Sequence, residues 1–481
     1  MSERKVVLGA LVALLYSCFP CVAERSENDG TDHRPPNVVF ILADDLGWGD
    51  LGCYGNPIAT PRLDQMAKEG ALFTRFYVNG SVCSPSRTAF TTGHFPARHG
   101  IHGHLSTHDA NQARGMPNWL DPNVPTLADQ FHAVGYATAH VGKWHLGHGP
   151  GAPSPKDYGF DFVKATTSGD DTWTEANADP FFRAKSTRLF VDESLAFIAA
   201  NRSRPFYLQL WTLLPHATLN PLPEQLKPFE RYGPGKGAGA HKGARSIFYS
   251  SVADLDAQIG RLLDGLAELG LDKNTIILFS SDNGPEDIMI SNAGHSGVGS
   301  TGPFRGRKRS LYEGGIRVPF LVRWPGHVAA GRVDDTSVVS AVDFFPTLSA
   351  LARADLPANF QADGENVSEI LLKGPASRSK PLFWEWRFNI AGHPLHHSPI
   401  LSIRDGDWKL LFNPDRSRVE LYDPTRDPME LTDLTKEHPD VVRRLSETGL
   451  AWQKSLPTGP MDPAAGKRNF GWPKSTQGKT R

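Results

Sequence analysis

Disulfide chemistry is nearly absent from this chain. Its 481 residues contain four cysteines, and two of these, Cys18 and Cys21, fall in an apolar stretch at the N-terminus. Cys53 and Cys83 remain, too few for a disulfide scaffold even in an oxidising compartment. A charge excess of one sign is also missing. Lys and Arg number 51 against 52 Asp and Glu, a formal net charge of −1, so no global field draws in nucleic acid and none is expected as a partner. No apolar run makes a comfortable membrane span of roughly 20 residues, and no stable membrane insertion is expected. No internal repeat is present. At about 100–200 residues per domain, the length allows one large domain and a smaller one, with any anion binding left to local groups.

Residues 1–23 read as a secretory signal. Arg4 and Lys5 give the charged start, Val6 to Tyr16 the apolar stretch, and Cys21-Val22-Ala23 a small-residue cleavage site. The expectation is an exported soluble protein, periplasmic or extracellular, or lysosomal or secretory in a eukaryote. A lipoprotein site at Leu15-Tyr16-Ser17-Cys18 is the rival reading, which Tyr16 fits poorly. Glycosylation triplets occur at Asn79, Asn201 and Asn366; Asn79, so close to Cys83, is expected to be buried and unmodified.

Short apolar runs end in polar clusters: Val38 to Ala43 before Asp44-Asp45, Tyr136 to Val141 before Gly142-Lys143-Trp144-His145, Phe206 to Trp211 before His216, and Ile276 to Ser281 before Asp282-Asn283-Gly284. Runs of this length read as buried strands. Between them the pattern predicts helices from Pro61 to Glu69, capped by Thr60, from Thr126 to Val134, and from Arg245 to Leu269. Asp254, Asp256 and Asp264 on the last are expected on a solvated face. The alternation predicts an α/β fold, a sheet covered on both faces, with ligands beyond the carboxyl ends of its strands. From about Pro381 the texture changes to short strands, Leu401 to Ile403, Trp408 to Phe412 and Val419 to Tyr422, and a helix around His438 to Trp452. The predicted division is a catalytic domain over residues 36–375, a small antiparallel sheet with a helix over 376–460, and a tail over 461–481.

Cys83-Ser84-Pro85-Ser86-Arg87 is the most informative stretch. Pro85 suits a first helical turn, Ser86 to Thr92 can continue it, and Gly93 can end it. Cys83 would then meet unpaired N–H groups and the positive end of a helix dipole, which favour an anion. Arg87, one turn on, can aim its donors at the same place. An anionic oxyester, phosphate or sulfate, is the group this arrangement suits. Asp44, Asp45, Asp282 and Asn283 offer only oxygen, the ligand set of Ca²⁺ or Mg²⁺ rather than zinc. Lys143 and His145, two apart, would share one side of an extended segment as a cation and a base.

These stretches resemble the type I sulfatases of the alkaline phosphatase superfamily. Cys83 to Arg87 with Thr91-Thr92-Gly93 is similar to the signature of that family, Val141 to Gly147 to its Gly-Lys-Trp-His-Leu-Gly motif, and Arg305 to Arg309 with Tyr312 to Pro319 to a further block. The resemblance spans about residues 37–434. It implies an alkaline-phosphatase-like fold, a central mixed, mostly parallel sheet between helices, with a smaller C-terminal antiparallel sheet. It implies that a maturation enzyme converts Cys83 to formylglycine (3-oxoalanine), whose hydrate is the nucleophile, beside a calcium ion, or magnesium in its place, held by Asp44, Asp45, Asp282, Asn283 and residue 83. Lys143, Lys308, Arg87 and His216 would hold the sulfate, with one cationic group near the leaving oxygen, and His145 would remove a proton to expel it. Thr218 stands where the family usually has proline, and Arg307 and Arg309 flank Lys308 where small residues are usual. These two arginines are expected to face solvent, the alternative being contact with further anionic groups of the substrate. Glu313 and Arg317 are expected to form an internal ion pair.

The implied activity is hydrolysis of an organic sulfate monoester, with export favouring a sulfated carbohydrate as partner. Two other readings remain open on sequence: a phosphate or phosphonate ester hydrolase of the same fold, and a non-catalytic binder of sulfated glycans with Cys83 unmodified. His102, His104, Trp173, Trp386, Arg387, His393 and His396 lie in loops that either line a sugar pocket or are ordinary surface.

Overall fold

The computed structural model describes residues 34–173, 178–233, 243–290, 293 and 295–467. The predicted signal over residues 1–23 and the tail from residue 468 lie outside them.

Nine strands form the main sheet: β1 (Asn37–Ala43), β2 (Ala71–Tyr77), β3 (Ala137–Lys143), β4 (Phe162–Thr166), β5 (Phe206–Trp211), β6 (Thr275–Ser281), β7 (Arg317–Arg323), β8 (Arg332–Asp334) and β9 (Val339–Ser340). Their order is β4-β3-β5-β1-β6-β7-β2-β8, with β9 also on β2. Pairing is parallel except where β7 meets β6 and β2. The four predicted strands are its centre, and β1 is buried along its whole length, as a strand with helices on both faces must be. Alternate residues of β1 divide between the faces. Val38, Phe40 and Leu42 share a core with Phe90, Phe131 and Phe344. Val39, Ile41 and Ala43 share another with Leu63, Phe190 and Ile259, from helices Pro61–Glu69 (α1), Phe182–Ala200 and Ala244–Glu268. Sequence pattern assigns no strand to β2, because a register shift between Phe73 and Phe76 interrupts its alternation and leaves Thr74 and Arg75 only partly covered.

One expectation fails on the helix Ala244–Glu268. Asp256 is not on a solvated face: it is 2% exposed and accepts from the backbone N–H groups of Arg62 and Leu63 at 3.1 and 2.8 Å. It thus satisfies orphan donors in the first turn of α1. Thr60, the predicted cap of α1, makes no cap bond.

The second sheet contains β10 (Leu382–Glu385), β11 (Leu401–Asp405), β12 (Trp408–Phe412) and β13 (Val419–Tyr422), antiparallel in that order. The helix Pro439–Lys454 covers it; its Gly449 lets the Phe412 ring approach to a distance, 2.8 Å from an added Cβ, that no side chain could share. Leu382, Ile403 and Leu410 belong to the same buried cluster as Phe40 and Phe90, so the two sheets share one core.

Candidate active site

Parallel pairing puts the carboxyl ends of β1, β3, β5 and β6 on one edge, and the polar clusters converge there. Ala43 is paired with Ser281, so Asp44-Asp45 and Asp282-Asn283 emerge side by side. The Asp45 N–H donates to Asp282 Oδ1 at 3.1 Å, and the Asp282 N–H to Ala43 O at 3.1 Å. Asn283 Nδ2 donates to Asp45 Oδ1 at 2.7 Å. Gly284 then donates to Gly315 O at 3.0 Å, and a Cβ here would lie 1.9 Å from Gly314 O. Only glycine allows this loop to seat against the block that carries Lys308.

Cys83 opens the helix Cys83–Thr92 (α2), which ends on Gly93 in the left-handed region, as the sequence predicts. Its Sγ, that of the encoded cysteine, lies 3.8 Å from Asp44 Oδ1. Burial, offset only in part by Lys143 and Lys308, pushes the thiol up to about 12, so an unmodified Cys83 would be a poor thiolate nucleophile. Arg87 is wholly buried, and its donors turn away from the cavity. Nε and Nη2 go to Asp282 Oδ2 at 3.2 and 2.8 Å, and Nη1 to Lys143 O at 2.7 Å. Asn79, beside α2, is buried, and its Oδ1 accepts from Ser340 and from the Val342 N–H.

Lys143 and His145 do converge, but by a turn and not by an extended segment: β3 ends at Lys143, and His145 has φ 58°. Lys143 Nζ contacts Asp44 Oδ2 at 2.6 Å, and Lys308 Nζ contacts Asp45 Oδ2 at 2.7 Å. His145 Nε2 lies 2.9 Å from Leu105 O. A carbonyl only accepts, so Nε2 carries the proton and Nδ1, buried without a partner among the described residues, keeps the lone pair. Leu105 is itself held by Ser84, whose Oγ accepts its N–H at 2.9 Å. Burial, with Lys143 and Arg87, holds the His145 imidazole well below its ordinary value. Burial takes His216 to about 4 against the pull of Asp44; its Nε2 lies 3.7 Å from Asp45 Oδ2. Burial raises Asp282 to about 6, with Asp44 adding to it, whereas burial at Asp44 is more than offset by Lys143, His216, Arg87 and Lys308 together, which leave it well below the carboxylate range.

Cys83, Lys143, His145, His216 and Lys308 line one cavity of about 400 Å³, within the span of about 300–1,000 Å³ usual for small ligands. Thr167, Arg183, Thr218, Glu286 and Arg309 also line it. Of the seven loop residues considered as a sugar pocket, His104 alone is in this lining. His396 and the His393 N–H bond to Asp287, Arg387 pairs with Glu385, and Trp173 packs on Phe190. The solvent expectation for the flanking arginines also fails. Arg307 donates to the carbonyls of Glu286, Gly297 and Gly299 and fastens that loop. Arg309 forks onto both Glu286 oxygens at 2.5 and 2.9 Å on the cavity wall. Glu286, only four residues after Asp282, carried no motif signal, because its role depends on this partner. Glu313 and Arg317 form the expected internal pair at 3.2 Å.

Asp44, Asp45, Cys83 and His216 each bring a ligand atom within 4.8 Å of the others and could hold a metal ion. Asp282 and Asn283 adjoin this group through Asp45, and Asn283 Oδ1 is buried without a hydrogen-bond partner among the described residues. A surplus of buried oxygen, one atom of it unpaired, fits a hard divalent cation. Among the described residues no helix is long and apolar enough to cross a membrane.

Comparison with known proteins agrees with this geometry. The Sulfatase family model matches residues 36–354, and a model described as N-sulphoglucosamine sulphohydrolase, C-terminal, matches residues 302–453. Arylsulfatase A of Homo sapiens is 35% identical over 399 residues, 79% of this chain and 75% of the relative. N-acetylgalactosamine-6-sulfatase of Mus musculus is 34% identical over 382 residues, 73% of this chain and 69% of the relative. The crystal structure of Ps i-CgsB in complex with k-i-k-neocarrahexaose superposes with a TM-score of 0.73 at 27% identity, covering 88% of this chain and 94% of that one. With its mixed sheet and the Cys83 cavity at the carboxyl edge, the chain belongs to the type I sulfatases of the alkaline phosphatase superfamily and is a sulfatase.

Proposed function

We propose that this sulfatase removes sulfate from a sulfated carbohydrate, with residue 83 acting as formylglycine and a calcium ion held by Asp44, Asp45, residue 83, Asp282 and Asn283. The observation that carries the reading is the convergence of two lysines, two histidines and the start of α2 on a single cavity, with Asp44 and Asp45 directly behind Cys83 and the two lysines. A relative named N-acetylgalactosamine-6-sulfatase and a neighbour solved in complex with k-i-k-neocarrahexaose favour a carbohydrate.

The hydrated aldehyde supplies an oxygen nucleophile and a second hydroxyl, which neither cysteine nor serine has. The cation, when bound, supplies positive charge beside the reacting oxygens. The chain's own side chains do the rest. Lys143 and Lys308 face the cavity from Asp44 and Asp45, and their ammonium groups neutralise the sulfate as it binds. Arg87 works from behind, fixing the Asp282 carboxylate and the Lys143 carbonyl as a positioning residue. His145 offers the Nδ1 lone pair as base, its ring oriented by Leu105 O. His216 and Lys308, both beside Asp45, take the side of the departing oxygen. Residues 36–375 form the catalytic part in this reading, and 376–460 the smaller one.

Mass spectrometry of the peptide that contains residue 83, from natively produced protein, tests the proposal. An aldehyde at this position is the expected result, and an intact thiol in active protein overturns it. Desulfation of defined sulfated mono- and oligosaccharides then tests the substrate class; turnover of aryl sulfates with no turnover of any saccharide would remove the carbohydrate from the reading.

A further inference from the structure

Four lining residues of the cavity carry a permanent cation: Lys143, Arg183, Lys308 and Arg309. Three are matched by carboxylates: Lys143 by Asp44, Lys308 by Asp45, and Arg309 by Glu286. Arg183 has no such partner among the described residues. Its guanidinium makes one hydrogen bond there, from Nη1 to Leu213 O at 2.9 Å, which commits one donor of a five-donor fork. Asp44, Asp45 and Cys83 act on it electrostatically, without an ion pair to any of them. The residue belongs to the first turn of the helix Phe182–Ala200 and is only partly exposed, and burial lowers it from the usual arginine value. A partly desolvated cation with open donors that faces a ligand cavity costs stability unless a ligand anion meets it. The sulfate to be cleaved is met by Lys143 and Lys308 beside Cys83, which leaves Arg183 for a different group.

We propose that Arg183 is a specificity-determining residue that binds a second anionic group, a carboxylate or a further sulfate, on the carbohydrate from which sulfate is removed. This rests on the reading of the site as a carbohydrate sulfatase and narrows it to saccharides that carry at least two anions. The planar fork suits either anion bidentately, and Lys in its place would keep the charge while losing that geometry.

The test measures kcat and KM of the matured wild type, Arg183→Gln and Arg183→Lys. The probes are 4-nitrophenyl sulfate, N-acetylgalactosamine 6-sulfate, N-acetylgalactosamine 4,6-disulfate and a 6-sulfated disaccharide that contains a uronic acid. The wild type is expected to favour one of the last two over the single-anion probes. Loss of a charged, bidentate contact should lower that preference about 10- to 100-fold in Arg183→Gln, through KM more than kcat. Arg183→Lys should recover part of it, and it serves as the readout if the glutamine variant does not fold. Whether the disulfate or the uronate gains identifies the source of the anion. Equal loss on every probe, or a preference unchanged by either substitution, overturns the inference. A wild type that cleaves 4-nitrophenyl sulfate but no saccharide defeats the carbohydrate reading itself, whereas one that cleaves saccharides without regard to Arg183 defeats this inference alone.

Discussion

Two of the buried charge clusters, one around Cys83 and one around Glu313, differ in a way that separates function from architecture. Around Glu313 the charges face one another and no cavity. Lys409 Nζ lies 2.9 Å from both Glu313 Oε1 and Glu430 Oε1, while Glu313 Oε2 accepts from the Tyr77 hydroxyl at 2.7 Å and from Arg317 at 3.2 Å. Tyr77 and Arg317 come from the main sheet and Lys409 from the second, so the cluster fixes one sheet against the other. The Lys409, Glu313 and Glu430 side chains are fully covered. Around Cys83 the residue types are similar, but the ammonium groups face a cavity and one guanidinium has no carboxylate partner among the described residues. In both places charge has been taken out of water, and breaking a buried pair costs about 3–5 kcal/mol. In the covered cluster that energy specifies how the sheets dock; at the cavity it leaves dipoles and charges aimed where a ligand's charge arrives.

Substitutions should separate the two clusters cleanly, and the largest effect belongs to Cys83→Ala. Turnover of 4-nitrophenyl sulfate should fall by about 10⁵-fold, as for loss of a nucleophile, with the melting temperature nearly unchanged; Cys83→Ser should do the same. Retention of a hundredth of the activity would remove residue 83 from its role. Lys409→Met should act in the opposite sense. It leaves two buried carboxylates short of a cation and should cost about 3–5 kcal/mol in denaturant unfolding, with kcat/KM per folded molecule changed by less than about twofold. A large loss of kcat there would join the clusters into one functional unit. Dialysis against a chelator should lower aryl sulfate turnover by about 100-fold, given several kcal/mol from a Lewis-acidic ion, and added Ca²⁺ should restore it; activity indifferent to chelation would argue against the cation.

Smaller effects test finer points. Ser84→Ala removes the acceptor that holds Leu105 and through it His145, so kcat should drop about three- to tenfold, the value of one hydrogen bond, with KM little changed. A rise in KM alone would place Ser84 on the binding side. In the covered cluster, burial raises Glu430 to about 7, with Lys409 opposing and Glu313 adding to the shift. The folded state therefore binds more protons than the unfolded chain between pH 4.5 and about 7, and stability falls as pH rises through that window. Glu430→Gln stays neutral, so its melting temperature relative to wild type should be higher at pH 8 than at pH 5 by about 2 °C. The opposite slope would mean that Glu430 is ionised when folded.

Features encoded over a few neighbouring residues were legible in the sequence. The start of α2 at Cys83 and its stop at Gly93, β5 at Phe206–Trp211 and the pair Asp44-Asp45 at the end of β1 each follow from local pattern. Asp256 borders the apolar stripe of its helix, four residues after Val252 and three before Ile259, but its charge reads as a solvated group, and only the docking of α1 makes it a cap. Arg307 and Arg309 are turned from solvent by acceptors that no local pattern announces, the carbonyls of Glu286, Gly297 and Gly299 and the Glu286 carboxylate. Arg183 had no motif at all; the helix Phe182–Ala200, to which no sequence pattern pointed, delivers it to the cavity.

The sequence by itself determined the reaction family and the strand ends that carry its chemistry, because motif residues sit next to the backbone turns that expose them and both are written in consecutive positions. The tertiary structure alone decided which charges are neutralised, which nitrogen of His145 is free and which cation remains for a ligand. Those properties depend on burial and on partners up to a few hundred residues away, as with Lys308 and Asp45, and a charge acquires its meaning in a protein only when its neighbours and its distance from water are fixed.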